Sequence, residues 1–258
     1  LWLTVSPSQK LNPKSFCKCT RSIYYQQQDK RNANLASRSI AGSDTTATAI
    51  RSTILHLITN PRVLEKFREE IASTRFDADI IPDAVAKEMP YLQAIIKEGL
   101  RIFPPVAGLM AKEAPPEGDT WKGVYIPGGT RIGYGAWGIY RNKAIYGDDA
   151  SEFRPERWLE GPEDKIKEME STLELIFSYG RYQCLGKPVA LIELNKVFVH
   201  VSLSMECICL LPTTNIHPQL LTHFDLVVCD PQKPWLVKNP GIFHQSEFWI
   251  RANGREVA

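Results

Sequence analysis

No run of this 258-residue chain is long and apolar enough to span a bilayer. The longest, Val197 to Leu211, is interrupted by His200 and Glu206 and reads as a buried helix. The opening "LWLTVSPSQKLNPKSF" has too short an apolar core for a secretory signal, and Pro7 breaks it early, so the sequence shows no anchor of its own. A dominant charge is also missing. Lys and Arg number 31 against 29 Asp and Glu, and no basic run is interleaved with aromatics, which points away from nucleic acid as a partner. Cysteine is sparse and irregular: Cys17, Cys19, Cys184, Cys207, Cys209 and Cys229 lie in a chain too long for a small disulfide scaffold, so reduced thiols in a cytosol-facing compartment are expected. The two Cys-x-Cys pairs lack the spacing of zinc knuckles and no histidine completes a set, so no structural zinc is expected. Internal repeats are absent too. With 43% hydrophobic and 23% charged residues, the composition is that of a folded protein with apolar mass for one large domain or two small ones.

What is present reads as mainly helix with a small β region. Residues 1–39 are polar, without a stable period, and are expected to be loop or disorder, with order beginning at Ile40. From Asp44 to Thr59 the apolar positions Ile50, Ile54, Leu57 and Ile58 recur at helical spacing, and Asn60-Pro61 closes that helix and starts the next. The second helix carries Leu64, Phe67 and Ile71 on one face and charge on the others. "MPYLQAIIKEGLRIFPP" is a helix with a broad apolar arc, ended by Pro104-Pro105. "DTWKGVYIPGGTRIGYGAW" reads as a hairpin joined by Pro127-Gly128-Gly129, and "FDLVV" as a late strand.

Two motifs concern chemistry. Gly133 to Gly138 formally match GxGxxG, but the following "IYRNKAIYGDD" reads as turns without helical period, so no helix N-terminus is expected to meet a pyrophosphate there. The second is "FSYGRYQCLG", residues 177–186, in which Phe177, Gly180, Cys184 and Gly186 are followed by a helix beginning near Pro188. Most free cysteines are small buried hydrophobes. Here, however, a helix N-terminus would aim partial positive charge at the sulfur and favour its thiolate, while the glycines let backbone approach a flat ligand.

This stretch resembles the haem-ligating loop of the cytochrome P450 monooxygenases, and "GRYQCLGK" is most similar to their fungal, pisatin-demethylase-like branch. The resemblance implies the C-terminal part of the cytochrome P450 fold, with haem as cofactor and Cys184 as its metal-ligating thiolate. It further implies a reaction that inserts one oxygen atom of O2 into a small organic substrate. Electrons would come from a separate NADPH-dependent reductase at the cytosolic face of the endoplasmic reticulum membrane.

Companion motifs take two readings each. Glu98-x-x-Arg101 is by spacing an i,i+3 ion pair on a solvated helix face. The resemblance makes it instead a buried structural triad with Arg157 of "FRPERW". In "AGSDTT", Ser43 or Asp44 can cap the helix that follows. The resemblance places the same letters inside a long helix passing over the haem, with Ala41 and Gly42 opening a groove, Thr45 hydrogen-bonding the reduced dioxygen and Asp44 relaying protons. Phe177, Gly180, Gly186, Lys112 and Arg181 complete the implied cofactor contacts, the last two as carboxylate partners. Many relatives carry arginine where Tyr182 stands here, with Arg181 one position earlier.

The resemblance runs over residues 40–258, roughly the C-terminal half of a family member, and leaves 1–39 unmatched. Val201 to Gln219 interrupts it as an insertion; Val-Ser is what an in-frame splice donor spells, which suggests a translated intron, and residues 1–39 invite the same reading. The rival expectation is a haem-free, non-catalytic remnant that offers only an interaction surface.

Overall fold

The computed structural model of the chain describes residues 2–5, 30–76, 80–199, 224–239 and 242–254. Around α1 (Lys30–Thr59) are gathered α2 (Pro61–Ser73), α4 (Pro90–Ile102) and α8 (Lys187–Val199), with α3 (Asp83–Lys87) against α4 and α8 and α7 (Glu163–Glu174) against α4. Short helices α5 (Ala136–Ile139) and α6 (Lys143–Tyr146) lie in the segment between α4 and α7. The β content is small. Strand β9 (Trp249–Gly254) lies between β1 (Trp2–Val5), parallel to it, and β6 (Phe224–Val228), antiparallel. Three two-stranded pairs join β2 (Lys112–Glu113) to β5 (Arg131–Ile132), β3 (Asp119–Trp121) to β4 (Val124–Ile126), and β7 (Leu236–Lys238) to β8 (His244–Ser246).

Helix α4 is the centre of the core, because its apolar arc is so broad that ten of its residues, all from Tyr91 to Ile102 except Gln93 and Lys97, are buried. Pro90 opens it at a position where the missing N–H costs nothing. Its next two amides donate to a carboxylate from another helix: Tyr91 N to Glu70 Oε1 at 2.7 Å and Leu92 N to Glu70 Oε2 at 2.8 Å. Glu70 of α2 thus caps α4 across space, a role that no local pattern announces. Val63, Leu64, Phe67 and Ile71 form the buried face of α2, as its spacing predicts.

Where α1 crosses α4, the absence of a side chain decides the approach. A Cβ built on Gly99 would lie 2.0 Å from Thr53 Oγ1 and 3.0 Å from Thr53 Cβ, so only glycine fits. Gly99→Ala is expected to lower stability by about 2 kcal/mol through overpacking, read as a lower urea midpoint with unchanged slope. Thr53→Gly in the same chain should recover part of that loss, and a Gly99→Ala chain as stable as the parent would contradict the packing.

Several sequence expectations are corrected. Order does not begin at Ile40, since α1 already starts at Lys30. Residues 30–39 lack an apolar period, but Ala, Leu and Arg among them propagate helix readily once the buried part of α1 is formed. Ser43 and Asp44 are therefore mid-helix residues and cap nothing. The hairpin turns at Lys122-Gly123, with φ of 47° and 82°, and not at Pro127-Gly128-Gly129. The stretch after Gly135 forms two one-turn helices where turns alone are expected. Residues 201–219 and both Cys-x-Cys pairs, Cys17/Cys19 and Cys207/Cys209, lie outside the described residues. No described helix is long and apolar enough to cross a membrane.

Candidate functional site

The cysteine stretch is a tight loop between α7 and α8. After the 3-10 turn Leu175–Phe177 the chain passes through Ser178 and Gly180, both with positive φ, and a second turn, Gly180–Tyr182. Cys184 N donates to Phe177 O at 2.8 Å, tying the two ends of the loop together, and Gln183 N donates to Gly180 O at 3.0 Å. Helix α8 starts three residues after the cysteine, with Lys187 N donating to Cys184 O at 3.3 Å. Cys184 therefore sits immediately before a 13-residue helix, on the side where its dipole favours negative charge. The cysteine is exposed and Leu185 beside it is 95% exposed. A Cβ on Gly180 would meet nothing within 4 Å, and one on Gly186 would come within 3.7 Å of Cys184 Sγ.

Cationic and aromatic side chains gather at the same loop. Lys112, reaching from β2, donates from Nζ to Ser178 Oγ at 2.9 Å and lies 4.3 Å from the Tyr182 ring centroid. Arg181 donates to the Tyr182 hydroxyl at 2.8 Å and also covers its ring. Lys187 pairs with Glu174 at the end of α7 and stands 5.5 Å from the Phe177 ring. Ser178 is the surprise. Its φ of 61° and ψ of −174° belong to a region that is essentially glycine-only, costing about 1–3 kcal/mol.

Glu98 and Arg101 are not on a solvated face; both are fully buried. Arg101 grips Glu98 with two bonds, Nε to Oε2 at 2.9 Å and Nη2 to Oε1 at 2.8 Å. Arg157 Nε adds a third at 3.1 Å, Trp158 Nε1 a fourth at 2.9 Å and Arg154 N a fifth at 2.8 Å. The remaining guanidinium donors serve mostly backbone: Arg101 reaches Tyr140 O, Ala150 O and Glu152 O, while Arg157 reaches Tyr146 O, Asp149 O and Glu152 O as well as the Asp149 carboxylate. Asp149 completes the charge balance. Burial works against its ionisation, but hydrogen bonds from Arg157 and Arg154 outweigh that and hold its carboxyl below the usual range.

A second carboxylate fixes the same turn from the other side. Glu156 accepts from Arg62, from Lys66 Nζ at 2.9 Å and from the Tyr91 hydroxyl at 3.0 Å. Burial pushes its carboxyl upward, yet the hydrogen bonds from Arg62 and Lys66 prevail and bring it down to about 2. Neither Glu156 nor Glu70 is suggested by the motifs, because their partners are distant in sequence.

In α1, Ala41, Gly42 and Ser43 are exposed and Asp44 and Thr45 partly so. The Thr45 hydroxyl donates to Ala41 O at 2.6 Å, and a Cβ on Gly42 would meet nothing within 4 Å. Helix α1 packs on both α4 and α8, so one helix links this segment to the triad and to the helix that follows Cys184. Among the described residues no group of three or more His, Cys, Asp or Glu is arranged to hold a metal ion.

The sequence model of cytochrome P450 matches residues 26–236. The chain belongs to the cytochrome P450 family. Similar P450 relatives are fungal: cytochrome P450 monooxygenase ABA1 of Pyricularia oryzae is 40% identical over 220 residues, covering 84% of this chain and 39% of the relative. The corresponding protein of Botryotinia fuckeliana is 38% identical over the same length, and pisatin demethylase of Fusarium vanettenii is 36% identical over 195 residues, 76% of this chain and 34% of the relative. The P450 chain thus spans about two fifths of the length of the curated relatives it matches. The family match starts well before Ile40, in line with the early start of α1. A P450 generally uses haem, and the residues of the loop fit it. One exposed thiol precedes a helix N-terminus, open space lies at Gly180, and two cations stand nearby for carboxylates.

Proposed function

We propose that this chain carries the haem-thiolate portion of a monooxygenase that inserts one atom of O2 into a small organic substrate. The observation that carries the reading is Cys184, exposed and tied to Phe177 O at the head of α8. Cys184 would ligate the iron as thiolate, with Lys112 and Arg181 meeting the haem carboxylates and Phe177, Gly180 and Gly186 giving the flat ring access. Bound haem supplies the redox centre that activates dioxygen with electrons from an NADPH-dependent reductase, in the family's usual setting at the cytosolic face of the endoplasmic reticulum.

The remaining work falls to side chains of this chain. The α8 dipole and the loop cations favour the charged form of the sulfur. Thr45 Oγ1 holds a proton that it now donates to Ala41 O, and it can redirect that hydrogen bond to a polar ligand over α1. Asp44, one residue before it and partly exposed, is placed to exchange protons with solvent; its charge also opposes the desolvation of the half-buried Arg51 guanidinium. Ala41 and Gly42 leave that face of α1 free of bulk.

The test is a carbon monoxide difference spectrum of the chain expressed with haem and reduced. A strongly red-shifted Soret band that disappears in Cys184→Ala is the expected result. No band would overturn the assignment and leave a haem-free remnant of the family, and an unchanged band in Cys184→Ala would overturn Cys184 as the ligand.

A further inference from the structure

Ser178 occupies backbone that glycine alone adopts easily, yet it carries a side chain that is nearly buried, at 9% exposure. That side chain has one partner of note, the Lys112 ammonium at 2.9 Å. Lys112 is on β2, 66 residues away, so the contact joins the β2–β5 pair to the cysteine loop one residue from Phe177, whose carbonyl holds Cys184 N. The other contact of the ammonium is the Tyr182 ring. Both of these partners are neutral, so neither contact neutralises the positive charge that it holds in place. An ammonium has three donors, and the serine oxygen engages one of them.

We propose that Ser178 is a positioning residue that aims the Lys112 ammonium across the cysteine loop to receive a carboxylate of the haem. Glycine at 178 would relieve the backbone but release a long, flexible side chain, whose ordering would then have to occur on binding. Lys112 and Arg181 both stand against the Tyr182 ring, so two cations are gathered on this side of the loop. The inference rests on the haem-thiolate reading.

Two substitutions separate positioning from stability. Ser178→Ala removes the hydroxyl and keeps the strain, whereas Ser178→Gly removes both. Ser178→Gly should therefore melt several degrees above Ser178→Ala, on the order of 2–6 °C. Haem dissociation, followed by transfer to an excess of apomyoglobin, should accelerate about tenfold in both variants alike. Lys112→Met should match that acceleration, and Ser178→Gly should add nothing to it. In the haem-free chain, reductive methylation of Lys112, read by peptide mass spectrometry, should speed up about fivefold in both serine variants. Dissociation that tracks melting temperature, with Ser178→Gly behaving as the parent, overturns the proposal, as does unchanged methylation of Lys112. If the unsubstituted chain retains no haem, the haem-thiolate reading falls and the carboxylate with it, while methylation still decides whether Ser178 holds the cation.

Discussion

Replacing Arg157 with alanine is expected to destabilise the chain by about 3–5 kcal/mol, the cost of removing one partner from a buried ion-pair network. Glu98 keeps Arg101 and Asp149 keeps Arg154, but Asp149 loses its buried guanidinium, the carbonyls of Tyr146 and Asp149 lose their donor, and Glu152 O loses one of two. Against a typical total stability of about 5–15 kcal/mol this is a large fraction, and it corresponds to a melting shift on the order of 10 °C. Haem retention should fall with it, because the turn that holds Arg157 leads directly into α7 and the cysteine loop. Arg157→Lys should recover little. An ammonium is a compact point charge and cannot reproduce a planar fork that serves two carboxylates and three carbonyls. The measurement is thermal unfolding of both variants beside the parent; a native-like Arg157→Ala would show that the network is redundant.

Stability should also decline as pH falls from about 6.5 toward 4, a decline that begins above the range of ordinary carboxylates. His56 lies face to face with Phe153, ring centroids 4.9 Å apart and planes within 9°. Burial lowers its pKa to about 4; Glu98 pulls the other way, but Arg141 and Arg101 oppose a further positive charge. The unfolded imidazole takes up its proton near 6.5, so between 6.5 and 4 the unfolded state binds more protons than the folded one. The stabilisation is complete above this window and lost as pH falls through it, by about 3 kcal/mol in all. His56→Phe keeps the stack and removes the titration, so its urea midpoint should be flat over the same range. Glu156, depressed to about 2, acts in a lower window, from its usual value near 4.5 downward, which meets that of His56 only at its acid end. A parent protein equally stable at pH 7 and pH 4.5 would refute the assignment to His56.

Much of the helical frame was legible in the sequence for a simple reason: α2 and α4 carry apolar positions at helical spacing, and proline stands at or near the start of α2, α4 and α8. What was illegible depends on distance. Spacing alone put Glu98 and Arg101 in water, since their backbone partners come from residues 140–152 and no local pattern reveals that a helix is surrounded. The hairpin turn was misplaced because Gly128-Gly129 is a stronger local signal than Lys122-Gly123, although the backbone at Lys122 accepts positive φ. Residues 41–46 admitted both a cap and a mid-helix reading. Local propensity favours the cap; the long, packed helix overrides it. Ser178 could not have been singled out, because its hydroxyl partner is on another element and its φ is invisible in the letters.

The segment between Tyr140 and Arg157 has little regular structure of its own, yet the carbonyls of Tyr140, Tyr146, Asp149, Ala150 and Glu152 are all met by the side chains of Arg101 and Arg157. This has a consequence for the order of assembly. A helix or hairpin can form its hydrogen bonds turn by turn, whereas this segment finds its donors only after α4 exists and Glu98 has oriented Arg101. Its closure entropy must be spent before any of those bonds is gained. The segment therefore belongs to a late cooperative unit that gains or loses its order as a whole, and the cysteine loop downstream of it inherits that all-or-none character.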